Sequence, residues 1–386
     1  MSKFRLFHFP TLIILALVLK MFLFAYAAKY VPQAKFKPDS DLYLKTATTL
    51  ISQKAFAVVN DNGTLNYVMY RTPGYPLFLG VFHDLFQIPL NGIILIQILL
   101  TLLVVVVVYK SASYIDPALA TLAGLIILFD PAITVYSLML LTESLFLLFI
   151  SLFMLVFILY MKFFKVRWLA LAALLLIIAT YVRPVSYYLG LLVSLFIICI
   201  FIRQAPKKAL VHAVLFFVIV YSAIAIWHFR NYAHFKQNTF STITNATISR
   251  THGTGLLHSY QKTNDPRWKV MPPVAYYINM GSRSLLSLWT RPASFKDFNS
   301  LALKYAGKVF SYLWIVFWLG GFLKGLTKIK GNQYFYFLFL VIFYFTVVTV
   351  LATMWGATAR FRIPMMPFIA IISAYGWLSL RKVKNV

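Results

Sequence analysis

The chain of 386 residues is 61% apolar, 18% aromatic and only 12% charged, far from the roughly 45–50% apolar and about 25% charged of soluble domains. With a mean hydropathy of +0.80 this excludes a soluble enzyme: one water-facing core could not bury so much apolar surface, so lipid is the solvent and the chain is a polytopic membrane protein. The formal charge of +27, from 36 Lys and Arg against 9 Asp and Glu, does not mark a nucleic-acid binder, because the basic residues fall in short clusters between apolar runs and form no single patch.

In chain order, Lys3 and Arg5 precede an apolar run over residues 10–29, whose Ala25-x-Ala27 pattern resembles a signal-peptide cleavage site. The run is longer than a usual signal core, Lys20 interrupts it, and nothing downstream resembles a soluble mature domain, so an uncleaved first span is expected. A polar stretch over 30–89 follows. Within it residues 75–86, opening with Pro73-Gly74, are too short to span and are expected to form an amphipathic helix on the membrane surface. Six apolar runs come next, at 90–109, 117–131, 140–160, 167–182, 184–202 and 208–228. Arg183-Pro184 alone separates two of them, and proline fits a tight turn there. A second polar stretch covers 229–303, and the last runs lie at 304–323, 333–354 and 361–380. The expectation is an all-α membrane protein of about ten transmembrane helices, a single domain over 1–386 with two long loops carrying short juxtamembrane helices.

Loop charge sets the orientation. With the N-terminus inside, Lys110, the group Lys162/Lys165/Arg167, the group Arg203/Lys207/Lys208, the group Lys324/Lys328/Lys330 and the group Arg381/Lys382/Lys384 are all cytoplasmic. Of the acids, only Asp116 joins them. Asp39, Asp41, Asp61, Asp84, Asp130, Glu143, Asp265 and Asp297 fall at or beyond the opposite face, and so do both long loops. The sole cysteine, Cys199, lies in an apolar run and has no disulfide partner in the chain.

The first external loop begins Pro38-Asp39-Ser40-Asp41-Leu42-Tyr43, which places two carboxylates beside the membrane surface. A carboxylate near hydrocarbon, with Lys35, Lys37 or Arg71 to fix its ionisation, suits a general base; the structural reading is that Asp39 caps a helix starting near Leu42, since Asp and Ser are favoured caps. Glu143, the only glutamate, follows Thr142 at the edge of an apolar run and either starts a helix or serves a site. Arg71, Arg183, Arg230, Arg360 and Arg362 all fall at or near the outer ends of apolar runs, where the positive-inside bias would not put them. A set of guanidinium groups there suits a phosphate or pyrophosphate; each taken singly could snorkel to headgroups. His252 and His258 read as solvated loop residues, Gly253-Thr254-Gly255 and Met271-Pro272-Pro273 as turns, and Asn62-Gly-Thr64 and Asn245-Ala-Thr247 as glycosylation patterns relevant only to a eukaryotic secretory setting. There is no HExxH, Walker A, GxGxxG or GxSxG sequence.

These residues together resemble the GT-C glycosyltransferases that use polyprenyl-phosphate-linked sugars, the class of the protein O-mannosyltransferases and the lipid A aminoarabinose transferase. Asp39-Ser-Asp-Leu-Tyr43 resembles the family's Asp-x-x-x-Tyr opening of the first external loop, and Arg71-Thr-Pro-Gly-Tyr-Pro76 its RTPGYP-type sequence. Asp130-Pro131 with Thr142-Glu143-Ser-Leu-Phe146, Arg183-Pro184, Trp227-His-Phe-Arg230-Asn231 and Ala359-Arg360-Phe-Arg362-Ile-Pro364 are similar to four further family stretches, in the family's order. The second acid of the mannosyltransferases' Asp-Glu pair is missing, since Ser40 follows Asp39, and Asp41 is left as an accessory acid.

The resemblance implies a membrane enzyme that moves a sugar from a polyprenyl-phosphate donor to a hydroxyl of a glycolipid, protein or cell-wall polymer. Inversion, Asp39 as base, Glu143 as positioning acid and the five arginines on the donor phosphate are implied with it. So is a place in the bacterial inner membrane with the site facing the periplasm or exterior. No cofactor is certain; some family members hold a divalent metal near the catalytic acid. The rival readings are a transporter or flippase for lipid-linked saccharides, which would spread charge through the depth of the spans, and a lipid-linked saccharide ligase or polymerase, which would not need Asp39.

Overall fold

The computed structural model describes residues 3–242, 273–329, 331–353 and 357–382. His252, His258, Asp265, the turn at 253–255, Met271-Pro272 and the pattern at 245–247 lie outside them. In lipid a segment must satisfy its own backbone hydrogen bonds, and the Leu/Ile/Phe/Val runs do so as helices. Eight described helices are long and apolar enough to cross a membrane, and the bent pair Pro117–Leu128 and Pro131–Ser137, meeting at 51°, raises that to nine. The remaining expected run is the 17-residue helix Val166–Val182. All ten runs are therefore helical, and the class expected from composition holds.

In order, α1 (Lys3–Tyr30) leads into α2 (Pro38–Gln53), the hairpin β1 (Ala57–Val59) and β2 (Leu65–Tyr67), then α3 (Gly74–Leu79), which widens into a π turn at Gly80–Leu85. The bundle continues with α4 (Leu90–Ile115), α5 (Ala120–Leu128), α6 (Pro131–Ser137), α7 (Glu143–Phe163), α8 (Val166–Val182), α9 (Leu189–Phe201) and α10 (Pro206–Phe235). Among the described residues beyond 242 come α11 (Pro273–Thr290), α12 (Leu301–Leu326), α13 (Gln333–Ala352), the short α14 (Ala359–Arg362) and α15 (Met366–Lys382).

Breaks fall where the chemistry demands them. Asp130 accepts from Ile133 N at 2.9 Å and caps α6, so the chain turns instead of continuing α5. Arg183 is extended (φ −150°), which ends α8 before Pro184. Lys20, the interruption in the first run, is buried and donates to Thr134 Oγ1 on α6 at 2.9 Å, so it faces protein and not lipid.

The interior is built around α7 and α15, while α10 and α12 turn residues such as Ile226 and Val316 outward, as a lipid-facing surface requires. Without a hydrophobic drive between helices, close approach depends on small residues. A Cβ on Gly376 of α15 would stand 1.9 Å from Gly321 O and 2.5 Å from Gly325 N of α12, so this crossing tolerates only glycine. The surface helix expected over 75–86 is α3 and its π turn: Tyr75, Pro76 and Leu79 are buried, while Leu77, Leu85 and Phe86 are exposed.

Candidate active site

Asp39 is the second residue of α2, and Ser40 fixes the start of that helix. Its Oγ accepts from Lys37 N at 3.0 Å and donates to Leu140 O at 2.8 Å. Leu140 N in turn donates to Lys35 O at 2.9 Å. The turn before Glu143 is thus stitched to the residues before Asp39, although about a hundred positions separate them in sequence.

The Arg71-Thr-Pro-Gly-Tyr-Pro76 stretch docks beside Arg183. A Cβ on Gly74 would lie 2.7 Å from the backbone of Tyr181 and Val182, which explains the glycine without any special φ. Tyr75 goes inward and donates to Gln97 Oε1 at 2.8 Å, and Gln97 Nε2 donates to Ser137 O and Met139 O at 3.2 and 2.7 Å. The fully buried Gln97 therefore joins the segment of Arg71 to the turn that carries Glu143. Tyr43 packs edge-on against Tyr75 at 5.1 Å and under the Arg71 guanidinium at 5.3 Å. Burial pushes the Tyr75 phenol well above its ordinary range and raises that of Tyr43, so both remain neutral at physiological pH.

These constraints bring five ionisable side chains together. Asp39 Oδ1 accepts from Arg71, and its Oδ2 faces Arg360 Nη1 and Nη2 at 3.4 and 3.5 Å. Glu143 Oε1 accepts from Arg183 Nη1 at 2.8 Å and from Arg360 Nε. Arg360 bridges the two carboxylates, and three guanidinium groups face two acids. Glu143 is 2% exposed and Asp39 26%, so the cluster opens on the Asp39 side. Two polar atoms buried here have no partner among the described residues: Arg71 Nε, a donor, and Glu143 Oε2, an acceptor.

The other three expected site residues lie elsewhere. Arg230 donates to Phe56 O and Val68 O at 2.9 Å each, where the hairpin begins and ends, and stacks on Trp227 at 4.8 Å. Arg362 is buried, donates to Leu288 O at 2.8 Å and to Arg291 O at 3.3 Å, and stacks on Trp318. Neither reaches the cluster. Asp41 turns outward, 72% exposed, and pairs with Lys45 at 2.8 Å. The signals that sequence reading missed are the hairpin, marked by Asn62-Gly63 with Gly63 at φ +78°, and Gln97, a lone amide in an apolar run.

Arg230 acts on Arg71 through the chain, since Val68 lies three residues before it and Ser241 Oγ and Thr242 N hold the intervening Tyr70 O and Met69 O at 2.8 and 3.3 Å. Arg230→Lys keeps the charge but loses the fork that reaches both carbonyls. It is expected to loosen the hairpin and lower the thermal unfolding temperature in detergent, and an unchanged temperature would mean that Arg230 is no strut.

Among the described residues no group of three or more His, Cys, Asp or Glu assembles, and of the carboxylate oxygens in the cluster only Glu143 Oε2 lacks a guanidinium partner.

A family model described as dolichyl-phosphate-mannose-protein mannosyltransferase matches residues 70–227, the stretch that holds Arg71, Glu143 and Arg183. No curated protein matches the chain. Among solved structures, the chain is similar to the oligosaccharyltransferase AglB of Archaeoglobus fulgidus in complex with an inhibitory peptide and a dolichol-phosphate. There the TM-score is 0.62 and the identity 13%, over 100% of this chain and 52% of that one. It is similar also to the same enzyme tethered to an acceptor peptide, with TM-score 0.63 and 13% identity over 100% of this chain and 51% of that one. The chain spans about half the length of these structures. Its fold is similar to that of this oligosaccharyltransferase, and the match to the mannosyltransferase model agrees with the resemblance carried by its motifs.

Proposed function

We propose that the chain transfers a sugar from a polyprenyl-phosphate donor to an acceptor hydroxyl, with inversion, at the extracytoplasmic face of a bacterial inner membrane. The observation that carries this reading is the cluster of Asp39, Glu143, Arg71, Arg183 and Arg360, with one unspent buried donor and one unspent buried acceptor. The acceptor oxygen attacks the anomeric carbon while the carbon–oxygen bond to the lipid phosphate breaks, and the bonding electrons leave with the phosphate. Asp39, the more open carboxylate, takes the hydroxyl proton. Glu143 Oε2 receives a hydroxyl of sugar or acceptor and orients it.

Arg71 and Arg360 meet the charge that grows on the leaving phosphate, and Arg183 supports them through Glu143. Preorganised donors of this kind act most strongly where charge develops in the transition state. Arg360 sits between the two carboxylates. A lipid donor is supported by the dolichol-phosphate named for the structural neighbour and by the family that the mannosyltransferase model describes. The outward face follows from the segregation of loop charge.

The test is to incubate the purified protein in detergent with a panel of polyprenyl-phosphate sugars and candidate acceptors, following lipid phosphate release by mass spectrometry and product configuration by NMR. Release with inversion is expected. Retention would sink the single displacement. Movement of intact lipid-linked sugar across vesicles, without cleavage, would replace the transferase with a flippase.

A further inference from the structure

Beside the cluster lies a cleft of about 490 Å³, bounded by residues 291–296, the first turns of α12, Tyr136 and Thr358-Ala359. Ala359 precedes Arg360, and on the other side Asp297 pairs with Lys37 at 2.8 Å, two residues before Asp39. The cleft therefore adjoins the site on two sides. Arg291, Lys296, Lys304 and Lys308 line it, and none of them meets a carboxylate among the described residues. This sets it apart from the arginine cluster, where the guanidinium groups already have Asp39 and Glu143.

Four cations with no carboxylate beside them repel one another, which an anion would offset. Lys304 and Lys308 share a face of α12, Lys304 half-buried and Lys308 exposed, and Lys308 lies about 10 Å along a helix long and apolar enough to span the membrane. They also stand in the first turns, where the helix end is partially positive and anions are favoured, yet the first turn holds no acid. Fixed elements hold the wall. Arg362 grips Arg291 O, and Phe295 lies so close over Gly307 that a Cβ there would stand 2.7 Å from its ring. The neighbouring Leu301, Tyr305 and Val309 are exposed and apolar, as at a lipid boundary.

We propose that this cleft is a second anion site, one that takes the phosphate of a lipid with its chain running along the apolar outer side of α12. The shared chemistry is a lipid phosphate. Its source is a polyprenyl phosphate carrier, apart from the donor phosphate that Arg71 and Arg360 meet, or an anionic glycerophospholipid that serves or resembles the acceptor. The inference rests on the proposed transferase reading only for the first source.

Binding without turnover tests it. The full chain in detergent is titrated with polyprenyl phosphate, phosphatidylglycerol and phosphatidylcholine and read by native mass spectrometry, for wild type, Lys304→Gln/Lys308→Gln and Lys304→Arg/Lys308→Arg. The Gln pair is expected to weaken anionic lipid about 10–100-fold, and the Arg pair to stay within about threefold of wild type. Loss for polyprenyl phosphate alone assigns the polyprenyl carrier; equal loss for phosphatidylglycerol assigns a general lipid-phosphate site. Unchanged binding of both anionic lipids, equal loss for phosphatidylcholine, or equal loss in the Arg pair overturns the proposal. Absence of sugar transfer leaves these outcomes readable, so the two proposals fail separately.

Discussion

Asp39→Asn is expected to lower sugar transfer by about 10²–10⁴-fold, the range typical for loss of a general base. The amide has the shape of the carboxylate but cannot take a proton. The site around it should persist: Arg360 keeps Glu143, Arg71 keeps its stacking on Tyr70 at 4.6 Å, and Ser40, not Asp39, carries the hydrogen bonds that start α2. The loss should therefore appear in kcat, with the thermal unfolding temperature in detergent within a few degrees of wild type. Asp41→Asn is the internal control. Asp41 is exposed and among the described residues its one ion pair is with Lys45, so transfer within about twofold of wild type is expected. Comparable activity in Asp39→Asn and wild type would remove Asp39 from the chemistry and favour a ligase-type mechanism built on the arginines.

The ten apolar runs were legible because lipid leaves few alternatives: a run of the right length without water must be helical. The partners of each polar residue were not. Loop counting puts Arg71, Arg183, Arg230, Arg360 and Arg362 at one end of the bundle, but that end includes both the cluster and the struts around it. Arg360 and Arg362 show the difference. Two residues apart on a helical turn, they point about 200° from each other, one to Asp39 and Glu143 and the other to the carbonyls of Leu288 and Arg291. Helical spacing held that information. Which of the two faced the acids depended on long-range packing.

Gln97 and Ser40 make the same point for polar groups. Each is fully buried and bonded to backbone carbonyls far along the chain. An amide or hydroxyl in an apolar stretch announces that a partner exists, because leaving it unmet costs about 1–3 kcal/mol; only the fold names that partner. The basic cleft was hidden for a related reason. Lys304 and Lys308 read as the edge of a span, and their company with Arg291 and Lys296 depends on how the loop folds back over Gly307.

Glu143 separates electrostatic positioning from simple packing, because truncation to Ala and the isosteric change to Gln predict different losses. Glu143→Ala leaves Arg183 and Arg360 without their carboxylate where Glu143 itself is 2% exposed. Breaking a buried pair by removing one partner typically costs about 3–5 kcal/mol, most of it from the charge left behind. The guanidinium groups are 15% and 22% exposed, so solvent relieves part of this and the lower end of the range is expected. Unfolding in detergent should report it as a fall of several degrees, and activity should be lost. Glu143→Gln retains the shape and an acceptor oxygen for one arginine, so stability should fall less, but the charge that aligns Arg360 between Asp39 and Glu143 is gone. Transfer is then expected to drop about 10²-fold or more in kcat. A second comparison fixes the cause: in an Arg183→Gln background, one of the two cations facing Glu143 is already absent, so adding Glu143→Gln should cost less than it does in wild type. Full additivity of the two losses would mean that the ion pair is incidental and that Glu143 acts on substrate alone.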